Sequence, residues 1–205
     1  MFQSIQIIKD LGYIPDTIFD IGADHGRWTQ QCKEIFNTSR YHLFEDIYYP
    51  ELFSIANGNT RIYNCVLNDC LNDVDLKKIS TTLDSISNTH EILNNSTNIF
   101  IKIDCQGAEI PILKGATNVL KKTDFILFKL PFFGQYNAGA PNFLEHIQFM
   151  DSIGFVPFDF CESHYIDGFT IQVDIIFIRK DHPFSIEVDT KLRNKSAPCI
   201  YNISK

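Results

Sequence analysis

Short runs of β-branched and aromatic residues alternate along the chain with longer segments in which apolar residues recur at helical spacing. This alternation is typical of βαβ units built around a parallel sheet. It predicts seven strands, at Thr17–Ile21, Tyr41–Phe44, Arg61–Val66, Ile99–Asp104, Phe125–Leu130, Phe155–Phe160 and Val173–Arg179. It predicts helices at Gly26–Phe36, Pro50–Ala56, Ala108–Lys121 and Asn142–Ile153.

Two segments depart from this alternation. Thr81–Asn98 is rich in Ser, Thr and Asn, which predicts a loop or a short helix. The tail from His182 lacks clear periodicity and is either an ordered strap or a frayed end. With 205 residues and 44% hydrophobic content, the chain can bury one full core. We therefore predict a single domain over residues 1–181 and a C-terminal extension over residues 182–205.

The charge balance and the cysteines narrow the function classes. The chain carries 18 Lys and Arg against 25 Asp and Glu, a net charge of −7, which is opposite to the basic footprint of a nucleic-acid binder. Its six cysteines show no zinc-binding spacing, which favours reduced thiols. The sequence shows neither a secretory leader nor a membrane-spanning apolar stretch. A soluble cytoplasmic protein that binds no nucleic acid is predicted, and its oligomeric state stays open.

The first predicted strand runs into a tight turn, Asp20-Ile-Gly-Ala-Asp-His-Gly26, and then into a helix. Gly22 and Gly26 allow the backbone to approach a ligand closely, and the turn places Ala23 and Asp24 beside it. Asp24 can tolerate the left-handed region. We expect Asp20, at the end of the strand, to point into the crevice, where it organises the loop or, through water, meets a cofactor's ammonium group.

This turn differs from a dinucleotide-binding loop. Asp24 and Arg27 occupy the positions of the second and third glycines of the Gly-x-Gly-x-x-Gly pattern. A carboxylate is unfavourable beside a pyrophosphate. The ligand should therefore lack phosphates and carry positive charge, which S-adenosylmethionine satisfies and NAD does not. A strand, turn and helix without any ligand is the alternative.

Polar residues follow the next two predicted strands. Glu45 lies about as far beyond Gly22 as the acidic residue that binds ribose hydroxyls in such folds. Asp46 is either a second ligand or a solvated neighbour. Asn68 and Asp69 lie where an adenine ring is usually held, although Asn-Asp is equally an ordinary turn.

The segment Lys102-Ile-Asp-Cys-Gln-Gly-Ala-Glu109 resembles the KIDVEGAE signature of the FkbM family of methyltransferases. Other parts of the chain match further family motifs in the same order. These are the Asp20–Gly26 turn, Phe44-Glu45, Thr82-Leu-Asp84, Ile112-Leu-Lys-Gly-Ala116 and Val173-Asp-Ile-Ile-Phe177.

The resemblance implies an α/β, Rossmann-like class I methyltransferase fold with a seven-stranded, mostly parallel sheet flanked by helices. It also implies S-adenosylmethionine as the methyl donor and a small-molecule or glycan acceptor, usually methylated on oxygen. Three residues depart from the family pattern: Gln106 replaces Glu, Asp24 replaces Asn, and Lys129 replaces an acidic residue. These departures indicate either an altered, anionic substrate or a weakened activity.

Three side chains are candidates for the chemistry. Asp104, at the end of the fourth strand, is expected to order the acceptor or the methionine moiety. Glu109 is a candidate base or orienter, or only an acid that complements a helix dipole. His164 is expected on a loop above the site, as a base or as a solvated residue. No metal requirement is predicted, because Lys129 fills the place of a second carboxylate.

Two other functions remain open. The acceptor can be a nitrogen or another small metabolite, or the chain can be a non-catalytic, cofactor-binding partner subunit. The aromatic and glycine-rich loop Pro131–Pro141 suits a lid or an apolar wall for a sugar ring, or a loop that covers the core. Near the first turn, His25 is expected in a loop role and Trp28 to pack a helix against the sheet.

Overall fold

The computed structural model describes residues 1–70, 80–132 and 139–194, the last four of these by backbone. The strands are β1 (Thr17–Ile21), β2 (Arg40–Phe44), β3 (Thr60–Tyr63), β4 (Val66–Leu67), β5 (Ser80–Thr81), β6 (Ile99–Ile103), β7 (Thr123–Pro131), β8 (Phe155–Ile166) and β9 (Phe169–Arg179). The helices are α1 (Phe2–Asp10), α2 (Arg27–Ile35), α3 (Pro50–Ser54), α4 (Leu83–Thr89), α5 (Glu109–Lys114), α6 (Thr117–Leu120), α7 (Phe143–Ser152) and α8 (Pro183–Asn194).

Seven of the strands form one sheet in the order β3-β2-β1-β6-β7-β9-β8. The first five of these are parallel, and β9 runs antiparallel to both β7 and β8. Two apolar clusters cover the two faces of the sheet, so β1 and β6 are buried along their whole length. The predicted seven-stranded, mostly parallel α/β fold is confirmed.

Most predicted elements differ by one or two residues at their ends, β8 and β9 are longer by six and four residues, and two predicted elements are divided. The third strand of the sheet ends at Tyr63, and Val66–Leu67 pairs instead with Ser80–Thr81 in a separate two-stranded sheet. The predicted helix Ala108–Lys121 is two helices, because Gly115 interrupts it. Glycine is a poor helix former, and α6 begins anew beyond it.

The Thr82-Leu-Asp84 motif stabilises the separate start of α6. The Thr82 hydroxyl accepts a hydrogen bond from the Ser85 amide (3.0 Å) and thereby starts α4. The Asp84 carboxylate accepts hydrogen bonds from the amides of Asn118 (2.8 Å) and Val119 (3.0 Å) at the start of α6. The Thr81–Asn98 segment therefore contains a helix, and its motif joins two helices of the fold.

Helices at both ends of the chain complete one face of the sheet. The pattern analysis missed α1, whose Ile5 and Ile8 are fully buried against α2 and the sheet. The start of the C-terminal extension is ordered, with Phe184 of α8 packed on the same apolar cluster. Residues 195–205 lie outside the described residues. None of the described helices has the length and apolar character that a membrane crossing requires.

Candidate functional site

A cavity of about 400 Å³ opens where β1, β2 and β6 reach their carboxyl ends. Its lining is Ile21, Gly22, Phe44, Glu45, Asp46, Ile47, Cys65, Val66, Leu67, Asp104, Cys105, Gln106, Ala108 and Ile112. Three of these side chains are carboxylates, and none of these described lining residues is Lys, Arg or His. Such a crevice is the usual ligand site of an open parallel sheet. Its charge favours a cationic ligand over a phosphate.

The turn after β1 brings backbone to the wall of this cavity. Gly22 has a φ of 70°, and a Cβ added to it would lie 2.2 Å from the Asp104 carbonyl oxygen. A side chain at this position would therefore push β1 and β6 apart. Gly26 caps α2 with a φ of 76°, and Asp24 adopts the left-handed conformation, as predicted, with a φ of 49°.

Glu45 lies at the end of β2 and is 9% exposed. Its Oε2 accepts a hydrogen bond from the Asp24 amide (2.8 Å), and its Oε1 accepts one from the Ile47 amide (3.0 Å). An ionised carboxylate has about four acceptor positions, so about two remain for hydroxyl donors. The carboxylate is thus fixed by backbone and still able to hold a diol.

The predicted orientation of Asp20 is wrong. Its side chain is fully buried and turns away from the cavity, toward α2 and β6. Oδ2 accepts a hydrogen bond from the Thr29 hydroxyl (2.6 Å), and Oδ1 lies 2.8 Å from the Lys102 ammonium. These contacts support the other predicted role, in which Asp20 organises the loop.

Lys102 connects this buried pair to the glycine turn. Its Nζ donates a hydrogen bond to the Gly22 carbonyl (2.7 Å) and lies 5.9 Å from the centre of the Trp28 ring. Burial acts to lower the pKa of Lys102, but the nearby Asp20 carboxylate outweighs it, so the pKa is raised above its ordinary value. The Lys102 ammonium thus stabilises the glycine turn through the Gly22 carbonyl. Trp28 packs between helix and sheet, as predicted.

Apolar side chains and two thiols form the rest of the cavity wall, and the sequence analysis did not identify most of them. Ile47, Val66, Leu67 and Ile112 offer surface for a flat ring. Burial raises the pKa of the Cys105 thiol to about 12, and it is therefore neutral and unreactive at physiological pH. Apolar wall residues carry no chemical signal that separates them from core residues in a sequence.

Several predicted cofactor residues do not reach the cavity. Of the predicted set, Gly22, Glu45, Asp46 and Asp104 line it, whereas Ala23 is packed in the core below the turn. Asn68 donates its amide to the Thr81 carbonyl, and its side chain accepts a hydrogen bond from the Asp69 amide. These contacts are those of a turn, and neither Asn68 nor Asp69 lines the cavity.

Asp104 lines the cavity and contacts Lys129 of β7, which is not a lining residue. Asp104 Oδ2 lies 3.3 Å from Lys129 Nζ, and about a third of the Asp104 side chain is exposed. Beside it, Gln106 lines the cavity in a left-handed conformation with a φ of 49°. Lys129, which replaces a family carboxylate, therefore forms an ion pair with Asp104.

Glu109 is buried behind the loop that precedes α5. It is 2% exposed at the start of α5, and its carboxylate accepts hydrogen bonds from the amides of Gly107 (2.8 Å) and Cys105 (3.3 Å). His146 Nε2, from α7, lies 3.8 Å from its Oε2. Glu109 therefore holds the loop that carries Gln106, and no substrate can reach it.

The two other predicted histidines are tied to carboxylates. His164 lies on β8 and not on a loop, and its Nε2 is 3.0 Å from Asp174 Oδ2. His25 lies on the predicted loop, where its Nδ1 pairs with Glu51. Neither histidine lines the cavity. The middle of the predicted lid loop, residues 133–138, lies outside the described residues.

Part of the sequence matches a known family, and the fold matches solved structures. Residues 72–157 match the family described as Methyltransferase FkbM domain. A methyltransferase FkbM from Methylobacillus flagellatus KT superposes with a TM-score of 0.56 at 17% identity, over 78% of this chain and 43% of that one. The chain thus spans less than half the length of that protein. No protein of curated function matches the sequence.

Other methyltransferases have the same fold. The Burkholderia thailandensis 1,6-didemethyltoxoflavin-N1-methyltransferase, solved with S-adenosylhomocysteine, superposes with a TM-score of 0.55 at 13% identity, over 87% of this chain and 76% of that one. Magnesium protoporphyrin IX methyltransferase from Synechocystis PCC 6803, solved with S-adenosylmethionine, gives 0.51 at 9% identity, over 86% and 77%. At these identities the likeness concerns the fold, which is the Rossmann-like fold of class I methyltransferases. Residues 72–157 thus match the FkbM methyltransferase domain, and the chain as a whole has the fold of class I methyltransferases.

Proposed function

We propose that the cavity binds S-adenosylmethionine and that the chain transfers its methyl group to a hydroxyl of a small molecule, in particular a sugar. The observation that carries this proposal is the lining: three carboxylates and no basic side chain among the described lining residues. A dinucleotide would bring a pyrophosphate against those carboxylates. A sulfonium ligand brings a positive charge instead.

The individual groups fit this cofactor. Glu45 has acceptor positions left for the two ribose hydroxyls. Ile47, Val66 and Leu67 offer apolar surface for an adenine ring. Gly22 contributes backbone to the cavity wall, and its lack of a side chain lets the ends of β1 and β6 lie close together there.

In methyl transfer the main contribution of the protein is to align the acceptor oxygen with the methyl group. When bound, the cofactor supplies an electrophilic methyl group, and the protein orients the acceptor oxygen and excludes water. Asp104 is the carboxylate at the cavity boundary that can accept the hydroxyl's hydrogen bond. Lys129 beside it can donate one to a neighbouring oxygen. Such adjacent donors and acceptors suit a ligand with several hydroxyls, which supports a sugar acceptor over a nucleic acid.

The cofactor assignment is tested by calorimetric titration of S-adenosylmethionine into the wild type and a Gly22→Ala variant. We expect binding to the wild type and at least a tenfold loss in the variant, which corresponds to about 1.4 kcal/mol. Gly154→Ala is the matched control, since Gly154 also has a positive φ (89°) but an added Cβ would meet nothing within 4 Å. It should bind as the wild type does.

Either of two results would contradict the assignment. The first is a wild type that binds no S-adenosylmethionine. The second is a wild type that binds NAD equally well, because the carboxylate lining would then not discriminate against phosphates.

The acceptor is tested separately, with isotope-labelled S-adenosylmethionine and a panel of sugars, phenols and amines. Transfer to hydroxyl compounds, reduced at least tenfold in Asp104→Asn at a cofactor concentration that saturates both proteins, would support the proposal. Transfer to amines alone would favour the nitrogen acceptor. Cofactor binding without transfer to any member of the panel would favour a non-catalytic partner subunit.

A further inference from the structure

Three side chains with metal-binding atoms meet on the last two strands of the sheet. Glu162 and His164 belong to β8, and Asp174 belongs to β9. Each offers one ligand atom, and the three atoms all lie within 4.8 Å of one another. None of the three residues lines the cavity proposed for the cofactor. The cluster adjoins that cavity without lining it, because Lys129 pairs with Asp174 across β7 and β9 and contacts Asp104.

The geometry of two antiparallel strands produces this arrangement. Residues two apart on a strand point to the same face, which places Glu162 beside His164. Asp174 pairs directly with Glu162 across the strands. The distance of 3.0 Å between His164 Nε2 and Asp174 Oδ2 is also informative. It is that of an ordinary hydrogen bond, and two ligands about 2.1 Å from one tetrahedral ion would lie roughly 3.4 Å apart, so a small movement would admit an ion.

The electrostatics of the cluster favour an additional cation. Asp174 is 2% exposed, and the His164 imidazole and Lys129, its partner on β7, lie beside its carboxylate. The N-terminal ammonium of Met1 lies 3.2 Å from Glu162 Oε1. Two adjacent carboxylates thus already attract the positive groups around them.

We propose that Glu162, His164 and Asp174 bind one divalent transition metal ion, such as Zn²⁺. One imidazole and two carboxylates are a donor set that such borderline ions accept. His164 and Glu162 are 36% and 47% exposed, so the remaining coordination positions face solvent. The site does not depend on the proposed methyl transfer. The predicted lack of a metal requirement concerned paired carboxylates at the ends of the fourth and fifth strands, whereas this cluster lies one strand further along the sheet, where Asp174 pairs with Lys129.

The test is a titration of the full chain with Zn²⁺ by calorimetry and with Co²⁺ by absorbance. We expect one ion per chain, with the weak visible bands of nitrogen and oxygen ligands. Strong thiolate charge-transfer bands would instead assign the ion to cysteines such as the exposed Cys70, and would overturn the proposal.

Variants assign the ligands. His164→Ala and Asp174→Asn should each weaken binding at least tenfold. Glu162→Gln should also weaken it, and this substitution of an exposed side chain will not disturb folding. His90→Ala, which removes an exposed imidazole elsewhere, is the matched control and should bind as the wild type does. Absence of binding to the wild type, or affinity that survives these ligand substitutions, would overturn the proposal. Cofactor titration of the same samples reports on the proposed function independently.

Discussion

Replacing Lys102 with methionine should destabilise the protein through the carboxylate that it leaves behind. Lys102 is 7% exposed, and Asp20 is fully buried with its Oδ1 2.8 Å from the ammonium. At an effective dielectric constant of about 20, two charges at this distance attract by roughly 6 kcal/mol. The cost of removing both charges from water offsets most of this attraction. The intact ion pair therefore contributes little to the free energy of unfolding, but removing only one of its charges is strongly destabilising.

The magnitude follows from how the remaining carboxylate can respond. Breaking a buried pair by removing one partner typically costs about 3–5 kcal/mol. In Lys102→Met the Asp20 carboxylate would remain buried with no cation beside it. The Thr29 hydroxyl, 2.6 Å from Asp20 Oδ2, stays as its hydrogen-bond donor. We therefore expect Lys102→Met to lower the free energy of unfolding by about 3–4 kcal/mol.

Urea unfolding followed by circular dichroism measures this loss. With a denaturant slope of about 2–3 kcal/mol per molar, the midpoint should fall by roughly 1–2 M. The double variant Lys102→Met, Asp20→Asn is the control, because it removes both charges and keeps a partner for Thr29. It should regain at least about 2 kcal/mol over the single variant.

Two results would refute this reasoning. One is a Lys102→Met variant that loses less than about 1 kcal/mol, which would mean that water reaches Asp20. The other is a double variant no more stable than the single one, which would mean that packing of the lysine stem, and not its charge, supports the turn.

Two further predictions concern residues away from the cavity. Burial, with help from Arg40 and Arg61, lowers the pKa of His42 to about 3, so the unfolded chain binds a proton near pH 6.5 that the folded chain takes up only near pH 3. As the pH falls from 6 to 4, the free energy of unfolding of the wild type should therefore decrease by up to about 1.4 kcal/mol per pH unit relative to that of His42→Gln. Urea unfolding of both proteins at each pH measures this difference. The same pH dependence in both proteins would contradict the prediction. Asp84→Ala should lower the free energy of unfolding by about 1–2 kcal/mol, because the amides of Asn118 and Val119 lose their acceptor. Glu187→Ala, at an exposed position, is the control. An equal loss in both variants would show that water replaces the Asp84 carboxylate.

Local sequence was enough to predict the turn after β1. Gly22, Asp24 and Gly26 specify their conformations by themselves, since backbone sterics decide which residues tolerate a positive φ. The position of Glu45 at the edge of the cavity also followed from its spacing, because parallel neighbouring strands bring their carboxyl ends to one edge. The strand pattern likewise identified the seven strands of the sheet.

The direction and burial of the acidic side chains were decided by the tertiary structure alone. A strand buried on both faces shows no alternation of polar and apolar residues, so nothing in β1 indicates that Asp20 turns toward Lys102 and Thr29. Glu109 looks like a first-turn acid, and only the packing of α7, which carries His146, removes it from solvent. The pairing of β8 with β9 likewise brings His164 to Asp174, ten residues away in the chain. Such contacts join segments whose distance in space is set by the whole core, and for that reason no local pattern contains them.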